Sequence, residues 1–373
     1  MKFTKVDLAK DEYMLKGSYK TNGYDWWWHS FTGIDKLTGQ EKPFYIEFFI
    51  VNPKIGFNEV HYGELAGLKE SKPGYLMINV GSWGGGNTKQ LHRFIPLKDV
   101  KIKKTHPFEV EAFDNLLNEE HVVVNVDAKE GTVGSDVGTL KADLKIDKHL
   151  PFNVGYGTCK LFRDLKAFEM YWNVGGMKTY YEGTIVFDGR EYEVKRESSY
   201  GYADKNWGKD FTSPWVWLSS NNLTSRLTGK KLENSAFDIG GGKPKAFGIT
   251  INRQLLSAFA YEGEIFEFNF SKFWTHVKTH FDFKEEDGLY KWHVIQTNRH
   301  YKMETYVECK KEDMLKIKYE APSGAFLHQN LYNGGNGVGR VILSRKVSKN
   351  KYEVIDDIDC KNIGCEYGEF VNR

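Results

Sequence analysis

The chain has 373 residues, more than one compact core usually holds, so one large or two medium domains are expected. Lys+Arg number 52 against Asp+Glu 50, a net charge of +2 with no basic stripe or acidic tail, which argues against nucleic acid as a partner. Aromatics reach 15%, and because aromatic side chains fit half-buried pleated surfaces, that enrichment favours β structure.

The N-terminal MKFTKVDLAKDEYML has no apolar run of signal-peptide length, and no later segment approaches the roughly 20 apolar residues that span a bilayer. A cytoplasmic location without a transmembrane segment is the expectation, with transient membrane contact left open. FYIEFFIV (44–51), GYLMINV (74–80), HVVVNVDA (121–128) and GTLKADLKID (138–147) are short apolar or alternating runs bounded by turn residues. Between them, DVKIKKTHPFEVEAFDNLLNEE holds the best helical candidate, a short helix over 111–118. GTIVFDGREYEVKRE (183–197) predicts a hairpin, its two alternating strands joined by Asp188–Gly189, the pair a type I′ turn favours.

A second series follows in the C-terminal half. EIFEFNF (264–270), HFDF (280–283), YKWHVIQ (290–296), METYVECK (303–310) and MLKIKYE (314–320) alternate, and GRVILSRK (339–346) closes the run. The expected fold is therefore all-β, with strands in two consecutive sets that close into barrels to remove their edges. No Pro- or Ser-rich linker separates the sets, so domains 1–200 and 201–373 are expected to pack tightly, with a ligand cleft where they meet.

Three features are given bland readings. GSWGGGN (81–87), GGGKP (240–244) and GGNGVGR (334–340) lie outside any strand–helix unit and read as turns, not phosphate cradles. Cys159, Cys309, Cys360 and Cys365 are too few and scattered for a disulfide scaffold or a zinc site. His276 and His280 would share a helix face, but SKFWTHVKTHFDF alternates as a strand, with Trp274, His276, His280 and Asp282 on one face; no metal is expected.

SSYGYADKNWGKDFTSPWVWLSSNNL (198–223) sets Asp204, Lys205 and Asn206 among Tyr200, Tyr202, Trp207, Trp215 and Trp217. If it is extended, Tyr200, Tyr202, Asp204 and Asn206 share one face, and Trp215 and Trp217 share another downstream. Such a face suits a pocket for an amphipathic ligand, or a strand turning a barrel corner with its polar groups bonded to local backbone.

YADKNWG followed by SPWVWLSSNNL resembles the tocopherol cyclase-like family, whose signature runs Tyr-x-Glu-Lys-Asn-Trp-Gly and then a Trp-x-Trp strand. Related carotenoid hydratases carry a similar element. DWWWHSFTGIDKLTGQEKPFYIEFFIVNP (25–53) is similar to that family's N-terminal aromatic strand, and residues 321–370, through CEYGEF, to its C-terminal segment. Asp204 stands where the plant-type signature has Glu, so the acid is kept but its reach is shorter by one methylene.

The resemblance implies two lipocalin-like β-barrels with an apolar pocket at their junction, and acid-promoted cyclisation or isomerisation of an isoprenoid or polyene lipid. A tail double bond is protonated, and an oxygen captures the cation. That chemistry needs a carboxylic acid kept neutral by burial, aromatic faces near the cation, and a dry pocket. On this reading Asp204 is the general acid, tuned by Lys205 and Asn206. Tyr200, Tyr202, Trp207, Trp215 and Trp217 line the pocket, with Trp26, Trp27, Trp28 and Glu47 from the N-terminal strands. No organic cofactor is required; the partner is a lipophilic small molecule. The rivals are a hydratase using the same acid and a lipocalin-like carrier without turnover.

Overall fold

Period-two alternation dominates the sequence, and 25 strands result among the described residues. The computed structural model describes residues 11–152, 165, 167–250, 252, 254–270, 272–327, 329–349 and 351–369. The first ten residues of the N-terminal segment and Cys159 lie outside the described residues.

The first sheet begins with β1 (Tyr24–Asp35), β2 (Glu41–Val51), β3 (Tyr75–Ser82) and β4 (Lys89–Ile95). It continues through β5 (Lys101–Lys103), β6 (Glu109–Ala112), β7 (Asn115–Asn118) and β8 (His121–Ala128). β9 (Gly138–Phe152), β10 (Met170–Phe187), β11 (Arg190–Val194) and β12 (Gly201–Gly208) complete it. The order is β4-β3-β2-β1-β11-β10-β9-β8-β7-β6-β5, and β12 fills the space between β1 and β10, pairing with both. The strands close into a barrel.

The second sheet opens with β13 (Trp215–Ser220), β14 (Asn222–Ser225) and β15 (Ala236–Gly242). A two-stranded ribbon of β16 (Lys245–Ala246) and β17 (Ile249–Thr250) stands apart. Then come β18 (Gln254–Tyr261), β19 (Glu264–Phe268), β20 (Lys278–Glu286), β21 (Leu289–Thr297) and β22 (Tyr301–Lys310). The last are β23 (Leu315–Lys316), β24 (Asn330–Ser348) and β25 (Lys351–Glu369). The order β19-β18-β15-β13-β25-β24-β22-β21-β20 curves into a half-barrel. The strand pairings beside the site are antiparallel.

The hairpin at Asp188–Gly189 is as expected, with φ of 48° and 78°, the left-handed pair a type I′ turn requires. The helix over 111–118 is not. β6 and β7 form a hairpin there, turning at Phe113 (φ 55°) and Asp114. Val110, Ala112, Asn115 and Leu117 are the buried residues, and the Asn115 side chain holds both the Ala112 carbonyl and the Asn125 amide, a pairing no helix would allow. MLKIKYE also departs from expectation. Only Leu315–Lys316 pairs as strand, and residues 317–327 run as a strap toward the first sheet. Glu320 ties that strap down by accepting from the Gly63 and Leu65 amides and the Tyr75 hydroxyl.

The change of sheet falls later than residue 200. β12 hydrogen-bonds within the first sheet, and the second begins at Trp215. Three large cores follow. One fills the barrel around Trp27, Phe31, Phe48 and Val124, and one lies against the half-barrel around Leu218, Phe259 and Trp292. The third lies between the sheets and is the most aromatic, with Tyr24, Trp26, Trp28, Tyr45, Phe49, Trp172, Trp217 and Tyr319.

Candidate functional site at the sheet junction

Strand register builds the site. Trp28 on β1 stands opposite Glu47 on β2 and opposite Asp204 on β12, so three neighbouring strands present one row. Two residues along, Trp26 stands between Phe49 and Asn206. From the second sheet, Trp217 on β13 stands opposite Glu366 on β25, which stands opposite Asn333 on β24. The two rows face each other across a cavity of about 30 Å³, completed by Trp215, Ile317 and Tyr319. That volume admits one or two waters. Glycines let the rings reach the junction: a Cβ on Gly364 would lie 2.2 Å from the Trp217 ring, and one on Gly240 2.8 Å from Trp172.

Three carboxyls line this space. Burial pushes Asp204 up to about 7, against hydrogen bonds from Trp172 and Tyr202 that favour its anion. Burial likewise raises Glu366 to about 7 and Glu47 to about 8. Glu366 accepts from Trp215 Nε1 at 2.5 Å and Asn333 Nδ2 at 3.0 Å, and Glu47 from Asn79 Nδ2 at 2.7 Å. Asp204 Oδ2 accepts from Trp172 Nε1 at 2.7 Å and the Tyr202 hydroxyl at 3.0 Å. Its Oδ1 has no protein partner, and neither do Trp28 Nε1 beside it and Asn333 Oδ1 on the facing wall. An aromatic chamber with acids pushed toward neutrality and unanswered polar atoms on both walls can give a proton and hold a small polar group.

The sequence-predicted residues divide by strand face. Asp204, Asn206, Trp26, Trp28, Glu47, Trp215 and Trp217 line the cavity, and Tyr202 stands beside it on Asp204. Lys205 and Trp27 point the other way, into the barrel. Lys205 is 0% exposed, ion-paired with Asp25, and lies 3.9 Å from the Trp27 ring centre. It is therefore placed to neutralise Asp25, and not to tune Asp204. Burial lowers Lys205 and raises Asp25 to about 6, and their mutual attraction opposes both shifts. Trp207 stacks on Tyr171 at 5.6 Å in a separate small cluster. Tyr200, at φ 43°, precedes β12 and packs under Lys231 at a separate surface hollow.

Trp172, Tyr319, Asn333, Asp238 and Glu366 were not singled out from the sequence. Only Asn333 and Glu366 left a signal, in the 321–370 segment that carries the C-terminal resemblance. A larger hollow of about 600 Å³ lies over β20–β22 and β24–β25, but charged side chains such as Lys284, Glu286 and Lys291 line it. Among the described residues no group of three or more His, Cys, Asp or Glu is arranged for a metal, and no helix is long and apolar enough to cross a membrane.

The family model described as tocopherol cyclase-like matches residues 151–369, more than half of the chain. No curated protein matches the sequence. Among solved structures, kievitone hydratase from Nectria haematococca is similar in fold, with a TM-score of 0.51 and 11% identity. The match covers 95% of this chain and 90% of that one. At that identity the likeness speaks for the fold alone.

Proposed function

Because the chain belongs to the tocopherol cyclase-like family, we propose that it protonates an alkene of a lipophilic isoprenoid or polyene substrate and lets a nucleophile of the same molecule capture the cation. The observation that carries this reading is Asp204, an acid near neutrality with one oxygen unclaimed at an aromatic cavity. The alkene π pair takes the Asp204 proton and forms a C–H bond, leaving a tertiary carbocation and a carboxylate. An oxygen of the substrate closes on the cation, and its proton returns to Asp204. Mass is conserved, and the acid is regenerated.

The faces of Trp26, Trp28, Trp217 and Tyr319 supply negative quadrupole to the cation, and their packing keeps bulk water out. A ligand of this class needs about 300 Å³ or more, so binding has to move lining side chains. Ile317 and Tyr319, on the 317–327 strap, are among the lining side chains such binding would displace.

Hydration of the same alkene is the second reading. It is favoured by Trp28 Nε1 and Asn333 Oδ1, a donor and an acceptor without partners in a space sized for water. Incubation of the purified protein with prenylated phenols, followed by mass spectrometry of the products, separates the readings. An isomeric product supports cyclisation, and a gain of one water supports hydration. Tight binding without product would leave a carrier and refute both.

A further inference from the structure

Resting on the reading of Asp204 as the acid, we infer that Asp238 is a positioning residue. It donates its proton to the Tyr202 oxygen, commits the phenol proton to Asp204 Oδ2, and so leaves the transferable proton on Asp204 Oδ1. The Tyr202 oxygen lies 3.0 Å from Asp204 Oδ2 and 3.1 Å from Asp238 Oδ2. A phenol has one proton, so two contacts of hydrogen-bond length require a second proton from one of the carboxyls.

Two arrangements satisfy the count. In one, Asp238 donates to Tyr202 and Tyr202 donates to Asp204. In the other, Asp204 donates through Oδ2 to Tyr202, and Tyr202 donates to an ionised Asp238. Trp172 decides between them. Its indole N–H can only donate, and it already points at Asp204 Oδ2 from 2.7 Å. A proton on that oxygen would face the indole hydrogen and waste the best acceptor in the cluster. With Oδ2 accepting from both Trp172 and Tyr202, the proton of neutral Asp204 sits on Oδ1, the oxygen no protein group holds.

Asp238 is suited to staying neutral. It is fully buried, and burial together with the charge of Asp204 pushes it well above the ordinary carboxyl range, against hydrogen bonding with Tyr202, Trp217 and the Ile239 amide. The array is faced by Glu366 on β25, Glu47 on β2, Tyr181 on β10, Tyr319 on the strap, and Asp11, which is ion-paired with Lys148. These are acids and phenols, so no charged group facing the array stabilises a second anion beside Asp204; the Trp217 indole and the Ile239 amide favour the Asp238 anion, but burial and Asp204 outweigh them.

The test uses the protein alone. Infrared difference spectra against pH follow the acid C=O stretch that is lost in Asp204→Asn. Tyr202→Phe removes a donor to the Asp204 anion and should raise the pH at which that band disappears by about 1 unit. Asp238→Leu should move it in the same direction, and the double variant no further than Tyr202→Phe alone. Asp238→Asn retains a donor and should titrate near the wild type. A downward shift in Asp238→Leu would show an ionised Asp238 competing for the phenol proton and would overturn the inference, as would an unmoved band in Tyr202→Phe. If Asp238→Leu does not fold, Tyr202→Phe and Asp238→Asn decide. The predicted titration in a protein that turns nothing over would refute the catalytic reading and leave the array standing.

Discussion

Asp204 and Lys205 are neighbours in sequence, yet they inhabit different chemistry. Asp204 faces the junction, where Glu47 and Glu366 are also acids and all three are pushed toward neutrality. Lys205 faces the barrel, where it has a dedicated counter-ion in Asp25 and an aromatic ceiling in Trp27. The desolvation cost is met by pairing on one face and by protonation on the other. A buried charge given a counter-ion is held in place; a buried acid given no counter-ion is pushed toward its protonated form.

The largest effect should come from the junction face. Asp204→Asn keeps shape but removes the transferable proton, and loss of general acid catalysis costs roughly 100-fold to 10,000-fold in rate. Its melting temperature should not fall, since the amide no longer has to bury an ionisable group. Normal turnover in this variant would end the catalytic assignment. On the barrel face, Lys205→Met strands Asp25 as an unpaired buried charge and should cost about 3–5 kcal/mol in denaturant titration. Adding Asp25→Asn should return much of that loss. If Lys205→Met alone is harmless, the pair does not secure the barrel.

Period two made most of this legible. The alternation over 121–128 and the Asp188–Gly189 turn appear in the structure with the expected bounds. The same rule, applied from Tyr200, put one residue too many on the cavity face, because its positive φ ends the alternation there. Nearness in sequence groups Trp27 and Lys205 with the pocket, whereas strand parity separates them from Trp28 and Asp204. Trp172 and Asp238 lie beyond that rule, since Trp172 reaches Asp204 and Asp238 reaches Tyr202 only through hydrogen bonds spanning 30 or more residues. The short helix over 111–118 failed for a local reason: Phe113 and Asp114 turn the chain back on itself.

The contrast between the faces also fixes a pH dependence. A carboxyl whose folded pKa is raised holds its proton when the unfolded chain has released it, so stability falls as pH rises from the unfolded value to the folded one. For Asp204, Glu366 and Glu47 that window runs from near 4 to about 7 or 8. Each group adds a slope of about 1.4 kcal/mol per pH unit inside it. Glu304, held down to about 2 by Tyr306, Lys302 and His293, acts below this window. Glu47→Gln with Glu366→Gln should therefore flatten the fall between pH 5 and pH 7, as chemical denaturation at stepped pH will show. An unchanged slope would mean that both acids ionise freely in the folded protein.

The smallest effect, and the most direct probe of the two faces, is optical. Trp26, Trp28, Trp215 and Trp217 line the cavity, whereas Trp27 is sealed behind the sheet on Lys205. A conjugated lipophilic ligand seated at the junction should quench part of the tryptophan emission. Trp28→Phe or Trp217→Phe should lower the quenched fraction, because each removes an emitter at the wall. Trp27→Phe should leave the quenched intensity nearly as it was and dim only the unquenched background. Equal loss from Trp27 and Trp28 would place the ligand inside the barrel, on the Lys205 side, and the assignment of the junction as the binding site would fall with it.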